Sequence, residues 1–371
     1  MGNKGRVRKF FPGANSAYGF YSLYSQLYSP ACEKVFILKG GPGTGKSTLL
    51  QGIGEAMRLD GFDVEYHYCS ANPISLDGVV IPTAGVALLD GTAPHVVDPR
   101  YPGAVEEIVN LGDFWDEPYL VKQKEAIRSL VDSIGLFYQR AYIYLAAAKS
   151  YRDVVDSYYG LSNHKYITDL NTLALELVEE ILNGKNRVRG RGGQRKLFAS
   201  AITSQGSINH LENLVSPFSL VFMLGGGDGS NKRKLIERVA DAAVMRGFYV
   251  ETFCCALDPL QVDHIVIPEL EVALVNNMEP HRLQLGQIYR HVDTDRLAAN
   301  LPEKENREKE DFYCNYRQVI QKAIDYLVKA NKQHDELEQY YIPTMRYDEI
   351  EDLGQQVLEK VRKLTRSSKQ L

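Results

Sequence analysis

The chain has 371 residues, which is long enough for two domains that each bury a core. Its net charge of −4 directs it neither to nucleic acid nor to an anionic membrane, and its five cysteines lack the C-x-x-C spacing of a zinc site. It shows no signal-like segment and no apolar run of about 20 residues, so we expect a cytoplasmic protein without membrane contact.

A hydrophobic strand, a glycine-rich turn and the start of a helix follow one another between residues 35 and 50. This stretch fits G-x-x-x-x-G-K-[ST] in the strand-to-helix context of a P-loop, whose backbone N–H groups surround phosphate oxygens. The predicted nucleotide-binding residues are Gly40, Gly41, Pro42, Gly43, Thr44, Gly45, Lys46, Ser47 and Thr48.

Two of these residues have predicted chemical roles. Lys46 is expected to reach the β- and γ-phosphates as a catalytic residue, and the Ser47 hydroxyl is expected to be a metal ligand. The motif therefore predicts ATP and Mg²⁺ as the bound groups.

Short strands alternate with helices around the P-loop, which indicates a mainly parallel, three-layer α/β core. Beyond this core, apolar residues recur every three or four positions from Ile127 to Tyr158, a pattern that predicts a long helix. A second helical pattern runs from Leu170 to Ile181 after a loop at residues 160–163. We therefore predict an antiparallel helical hairpin, with its tyrosines packed between the helices.

The chain contains an internal repeat. Residues 221–281 match residues 35–95 at a constant offset of 186, with 24 identities in 61 positions, and the match continues through the long helices at an offset of 182. This indicates a duplication. The predicted fold is two tandem P-loop NTPase-like three-layer α/β cores, each with a long antiparallel helical hairpin. The predicted bounds are 8–183 for the first unit (core 8–115, hairpin 117–183), 184–194 for a linker and 195–365 for the second unit (core 195–282, hairpin 303–365).

The second copy of the motif is altered. Asn231 and Arg233 stand where the first copy has Gly45 and Ser47, and Asp228 places a negative charge where phosphate would lie. We expect this copy to bind Mg·ATP poorly or not at all. If the cores pack face to face, its basic residues would instead stabilise the phosphate transferred in the first copy. The candidates for that role are Lys232, Arg233, Lys234 and Arg282.

Comparison of the copies also selects a second metal ligand. A P-loop enzyme places an aspartate at the end of an apolar strand to hold Mg²⁺. Asp90 ends the apolar run 86–89 and is replaced by Asn276 in the second copy. Because Asp90 changed together with Ser47, we assign Asp90 to the metal and to catalysis.

Asp77 and His95 are present in both copies, and we predict structural roles for them. No glutamate follows Asp90, so the base found there in many ATPases is missing. Either hydrolysis is slow, or the phosphoryl acceptor is not water, or the base comes from elsewhere. The candidates for that base are Asp77, Glu106 and Glu107.

Residues 185–196 are rich in glycine and carry six basic side chains. Such a segment is typical of a flexible linker, and contact with nucleic acid is the less favoured alternative.

The P-loop segment, the strand that ends at Asp90 and the tandem layout resemble a poorly characterised bacterial family of tandem-duplicated, nucleotide-kinase-like P-loop ATPases. The resemblance covers nearly the whole chain and implies ATP binding in the cytoplasm. We expect Mg²⁺-dependent ATP hydrolysis at one site, with the second copy regulating or completing it. A small-molecule or nucleotide kinase and a nucleotide-gated scaffold for protein or nucleic acid are alternatives, and the acceptor or protein partner stays open.

Overall fold

The computed structural model describes residues 4–29, 32–158, 164–185, 192–226, 231–278, 288–294 and 302–368. The predicted loop at 160–163, most of the linker, Asp228 and Arg282 lie outside these ranges. The strands are β1 (Val7–Phe10), β2 (Gly13–Ser16), β3 (Gly19–Ser22), β4 (Lys34–Lys39), β5 (Val64–Tyr68), β6 (Leu76–Ile81), β7 (Val86–Asp90), β8 (Glu106–Asn110), β9 (Gln194–Leu197), β10 (Ser200–Thr203), β11 (Gly206–Asn209), β12 (Leu220–Gly225), β13 (Val250–Cys254), β14 (Val262–Ile267), β15 (Val272–Asn276) and β16 (Arg290–Asp293). The helices are α1 (Lys46–Leu59), α2 (Glu117–Lys122), α3 (Lys124–Ser157), α4 (His164–Leu182), α5 (Leu211–Val215), α6 (Asn231–Met245), α7 (Glu303–Tyr341) and α8 (Tyr347–Ser368).

Two six-stranded sheets organise the chain and have the same internal order. The first sheet runs β1-β5-β6-β7-β4-β8, and the second runs β9-β13-β14-β15-β12-β16. We call the first sheet with its covering elements the first core, and the second sheet with its covering elements the second core. The prediction of an α/β fold with parallel strands is confirmed at this level.

One strand in each sheet runs against the other five, which differs from a purely parallel sheet. In the first core β6 is antiparallel to both β5 and β7, and in the second core β14 is antiparallel to both neighbours. Only residues 69–75 separate β5 from β6. A parallel crossover needs about a dozen residues or more, so this short connection requires reversal.

Each sheet carries long helices on one face. Helices α1 and α8 cover the first sheet, and helices α4 and α6 cover the second. The opposite face of the first sheet is covered by the segment around Tyr24 and Leu27, and that of the second by the short helix α5. The predicted third layer therefore consists of short segments rather than of long helices.

The long helices do not form the two predicted hairpins. Helix α3 packs along α7, with Phe137 beside Tyr326 and Tyr151 beside Phe312, so the two run antiparallel. Helix α4 packs on α6 of the second core, and α8 packs on α1 of the first. The periodicity located the helices correctly, but their apolar faces meet partners from the other half of the chain. Within the described ranges, no helix combines the length and the apolar composition that a membrane span requires.

The two cores meet at the edges of their sheets and not face to face. Backbone hydrogen bonds join Phe11 and Phe198 in both directions, at 2.9 and 3.2 Å. Two ion pairs cross this junction reciprocally, Arg8 with Glu251 at 2.5 Å and Arg195 with Glu65 at 2.8 Å. Burial alone would raise the pKa of Glu65, but the charge of Arg195 lowers it well below its usual value. Equivalent contacts therefore join the two halves from both sides.

Candidate functional site

A tight turn of residues 40–45 connects β4 to α1, and we call it the first loop. Gly43 and Gly45 have φ of +68° and +88°, a region that glycine adopts without strain. A β-carbon at Gly40 would lie 2.7 Å from Thr44 Oγ1, so the turn also closes too tightly there for a larger residue. The sequence order of strand, glycine-rich turn and helix is therefore present in the geometry.

Lys46, the first residue of α1, folds back over this loop. Its ammonium donates hydrogen bonds to the carbonyl oxygens of Gly40 and Gly41, at 2.9 and 2.7 Å. Asp90 Oδ2 lies 3.7 Å from the same ammonium, and both side chains are largely buried. A cation held above the glycine turn and beside a carboxylate is the arrangement that neutralises phosphate oxygens.

Asp90 reaches the loop because of the strand order. Strands β7 and β4 are parallel neighbours, and their register places Asp90 opposite Leu38, two residues before the loop begins. Asp90 Oδ1 accepts hydrogen bonds from the backbone and the hydroxyl of Thr92, at 2.9 and 2.5 Å. The other carboxylate oxygen faces Lys46. Two groups chosen from sequence thus come together in space.

Ser47 connects the loop to β6. Its hydroxyl oxygen accepts a hydrogen bond of 2.9 Å from the backbone N–H of Leu76, the first residue of β6. The next residue along that strand is Asp77. Ser47 is therefore anchored to the strand that carries a second buried carboxylate, a connection that the sequence comparison did not make.

Asp77 and His95 lie beside Asp90, although their presence in both copies favoured structural roles, with Asp77 also a candidate for the base. Ligand atoms of the three side chains lie within 4.8 Å of one another, and all three residues are buried. Tyr24 donates a hydrogen bond of 2.6 Å to Asp77 Oδ2. Burial, followed by the negative charge of Asp90, raises the pKa of Asp77, while His95 acts in the opposite direction. Comparison of the two copies did not reveal that these three residues are neighbours, because their proximity depends on the order of the strands in the sheet.

The donor atoms at this place suit a hard divalent cation. The Ser47 hydroxyl and the Asp77 and Asp90 carboxylates offer oxygen, which Mg²⁺ prefers. Burial first, and the charge of Asp90 after it, raise the pKa of Asp77, and a bound cation would offset both effects. The residues present therefore fit Mg²⁺.

The structure places Glu106 and Glu107 away from the loop. Their strand β8 is parallel to β4, and Glu106 pairs with Val35 at the opposite end of β4 from the loop. Glu106 accepts a hydrogen bond from the Tyr101 backbone, and Glu107 pairs with Lys34 and Lys360. Neither glutamate is in a position to act as the base at the first loop.

The end of α7 and the start of α8 cover the outer side of the first loop. Tyr347 donates a hydrogen bond of 2.7 Å to the Gly43 carbonyl. A β-carbon on Gly41 would lie 2.8 Å from the Tyr341 ring, and one on Gly43 would lie 3.4 Å from Glu338 Cβ. The Tyr341 ring also lies 6.1 Å from the Trp115 ring, centroid to centroid. Residues from the far end of the chain therefore form part of this site.

The second core places a guanidinium where the first has Ser47. Arg233 is buried and donates a hydrogen bond of 2.8 Å from Nε to Asp263 Oδ1. Asp156, on α3, lies 3.9 Å from Arg233 Nη1. Burial alone would lower the pKa of Arg233, but Asp263, Cys255 and Asp156 raise it well above its usual value. The carboxylate equivalent to Asp77 is thus neutralised from within the chain.

The hypothesis that basic residues of the second core reach the first loop is wrong for the two whose contacts are defined. Lys232 donates to the Gly226 carbonyl of its own turn at 2.7 Å, and Arg233 is held by Asp263 and Asp156. The hypothesis required the cores to pack face to face, whereas they meet at sheet edges. Arg282 lies outside the described residues.

Comparisons of this chain with protein-family models, with curated proteins and with solved structures found no match.

Proposed function

We propose that the protein is a cytoplasmic P-loop ATPase, built by tandem duplication, that binds and hydrolyses ATP at the first loop in the presence of Mg²⁺. One observation carries this proposal: Lys46 lies over the glycine turn with Asp90 3.7 Å from its ammonium. This combination follows a motif of phosphate-binding loops in its strand-to-helix context.

Each residue then has a role in binding or in turnover. The backbone N–H groups of residues 40–48, all except Pro42, surround the phosphates, and Lys46 neutralises the charge that develops on the transferred group. Ser47 and Asp90 hold Mg²⁺, with Asp77 beside them. When bound, the metal supplies Lewis-acid stabilisation of the phosphate oxygens.

The second core acts as a noncatalytic partner in this proposal. Arg233 fills the position of the metal-binding hydroxyl and pairs with Asp263 at 2.8 Å. Helices α4 and α8 each pack on the core of the opposite half. Because α7 and α8 contact the first loop, a shift of that loop on nucleotide binding is transmitted directly to these two helices.

The proposal is tested by ADP release from ATP and Mg²⁺, with wild type compared with Lys46→Ala. We expect Lys46→Ala to lower turnover on the order of 10³-fold, because Lys46 supplies charge stabilisation worth several kcal/mol. Lys122→Ala, at an exposed lysine at the end of α2, is the matched control and should not change the rate. Equal ADP release by wild type and Lys46→Ala would show that no turnover occurs at this loop.

A kinase is the second candidate function, because Gly91 and not a glutamate follows Asp90. It predicts that a metabolite with an acceptor hydroxyl raises ADP release well above the rate in water. The same assay with a panel of nucleosides and sugars separates the two functions. Binding of ATP without turnover under any of these conditions would instead favour the scaffold interpretation.

A further inference from the structure

Each core has a long helix from the opposite half of the chain packed beside it. Helix α3 belongs to the first half, yet its last turns contact the second core, where Lys149 lies 3.6 Å from Asp258. Helix α7 belongs to the second half, yet its last turn contacts the first loop at Gly43. The antiparallel α3–α7 pair thus lies across both cores.

These two helices carry equivalent pairs of charged side chains. On α3, Arg152 Nε lies 3.5 Å from Asp156 Oδ1, one turn later. On α7, His334 Nδ1 lies 3.7 Å from Glu338 Oε1, also one turn later. The offset of 182 that aligns the helices brings Arg152 onto His334 and Asp156 onto Glu338. The two halves therefore place a basic–acidic pair at the same point of each helix.

The second core shows what such a pair does. Asp156 faces Arg233, the residue at the position of Ser47, at 3.9 Å. Asp263 contacts the same guanidinium from within the core at 2.8 Å. The cation is thus held between a carboxylate of its own core and a carboxylate from the opposite helix.

In the first core, Glu338, the residue equivalent to Asp156, lies beside Gly43 of the loop. A β-carbon on Gly43 would lie 3.4 Å from Glu338 Cβ and 3.5 Å from the Glu338 carbonyl oxygen. The Glu338 side chain is 32% exposed, whereas that of Asp156 is 14% exposed. Glu338 therefore borders the glycine turn through its Cβ and backbone, and its carboxylate, beside His334, remains accessible to water.

Asp77 is the competing carboxylate, but its surroundings suit a different role. It accepts a hydrogen bond from Tyr24, and its ligand atoms lie within 4.8 Å of those of Asp90 and His95. Asp77 therefore belongs to the buried group that would hold the metal. Glu338 lies outside that group and is left for the incoming water.

We propose that Glu338, supplied from the opposite half of the chain, is the general base for ATP hydrolysis at the first loop. The oxygen of water forms a bond to the γ-phosphorus while the bond from that phosphorus to the β–γ bridging oxygen breaks, and its electron pair leaves with ADP. Glu338 takes the proton from the water and returns it to solvent. This assignment rests on the proposed ATPase function and supplies the base that is missing after Asp90.

The test is Glu338→Gln in the full chain, which keeps the shape of the side chain and removes its basicity. We expect ADP release to fall about 10²-fold or more, the usual contribution of a general base. ATP binding, followed by the fluorescence of Trp115, the single tryptophan, should be retained. Glu336→Gln, at an exposed site on the same helix, is the matched control with wild-type turnover expected.

The outcomes separate the two proposals. Turnover by Glu338→Gln at the wild-type rate, in an assay where Lys46→Ala is inactive, overturns the role of Glu338 and leaves the ATPase function standing. Equal rates for wild type and Lys46→Ala overturn the ATPase function and the assignment of Glu338 with it. Loss of ATP binding together with turnover in Glu338→Gln also overturns the assignment, because a base acts after binding.

Discussion

The two cores of this protein share a strand order but hold their buried charges differently. At the first loop, Asp77 and Asp90 lie together, and the Lys46 ammonium lies 3.7 Å from Asp90 while it donates to the Gly40 and Gly41 carbonyls. At the second, Asp90 is replaced by Asn276 and the guanidinium of Arg233 is fixed to Asp263. The second core has a cation of its own beside Asp263, whereas the first core has one more carboxylate at the equivalent place and, in the proposed function, takes up Mg²⁺.

The same difference extends to the helices that cover the loops. Arg152 and Asp156 are buried against the second core, and the His334–Glu338 pair over the first loop is half-exposed. A core with a built-in ion pair beside one without it is the arrangement expected when only one of two related sites performs chemistry. The comparison teaches that where Arg233 stands in place of Ser47, the buried carboxylate Asp263 is paired with that guanidinium.

The largest effect is expected from giving the first loop the arginine of the second. Ser47→Arg should lower ADP release on the order of 10³-fold, because the guanidinium would pair with Asp77 and remove metal stabilisation worth several kcal/mol. The change is measured as turnover and as Mg²⁺-dependent ATP binding.

Gln51→Arg, at an exposed position one turn later on α1, adds the same charge outside the site. It should have wild-type activity. If Ser47→Arg retains Mg²⁺-dependent turnover, a guanidinium at this position does not substitute for the metal, and the comparison of the two cores loses its chemical basis.

The next effect is on stability and concerns the second core. Arg233→Met should lower the free energy of unfolding by about 3–5 kcal/mol, because it leaves Asp263 buried without its cation. Urea unfolding measures this loss. The double variant with Asp263→Asn should recover much of it, since the uncompensated charge is then gone.

Lys234→Met, one residue further along α6 and only partly buried, is the control with a small expected effect. An Arg233→Met protein that unfolds at the wild-type urea concentration would mean that Arg233 and Asp263 are not a stabilising pair.

The sequence predicted the local elements of both cores well, because strands, glycine turns and helices are specified by residues close together in the chain. Lys46, Ser47 and Asp90, which the motif and the repeat selected, lie around one loop in the structure. The exchange of α4 and α8 between the cores was not predicted, because an apolar helical face does not identify its partner. The same exchange brings Glu338 to the first loop, nearly 300 residues after Gly43. Only the tertiary structure shows that contact.

The direction of strand β6 was likewise not predicted from the sequence. Its apolar, β-branched sequence predicts a buried strand. The connection of residues 69–75 is too short for a parallel crossover, so its length determines that the strand is antiparallel. That direction brings Asp77, near the start of β6, beside Ser47 and Asp90. Identity between the copies gave Asp77 only a structural role, since identity does not separate a residue kept for the sheet from one kept for a cation.

The smallest expected effect concerns the contact between α8 and the first loop, which has no counterpart among the described residues of the second loop. Tyr347→Phe removes the hydrogen bond to the Gly43 carbonyl, and we expect a loss of about 0.5–1 kcal/mol in unfolding free energy without nucleotide. Tyr119→Phe is the matched control, because Tyr119 is 37% exposed and Tyr347 is 41% exposed. If ATP binding requires the loop to leave this contact, Tyr347→Phe will also bind ATP more tightly, by up to about fivefold for the same free energy. Unchanged affinity together with reduced stability would show that the loop keeps its contact with α8 when nucleotide binds, so that the opposite half completes the site and does not restrain it.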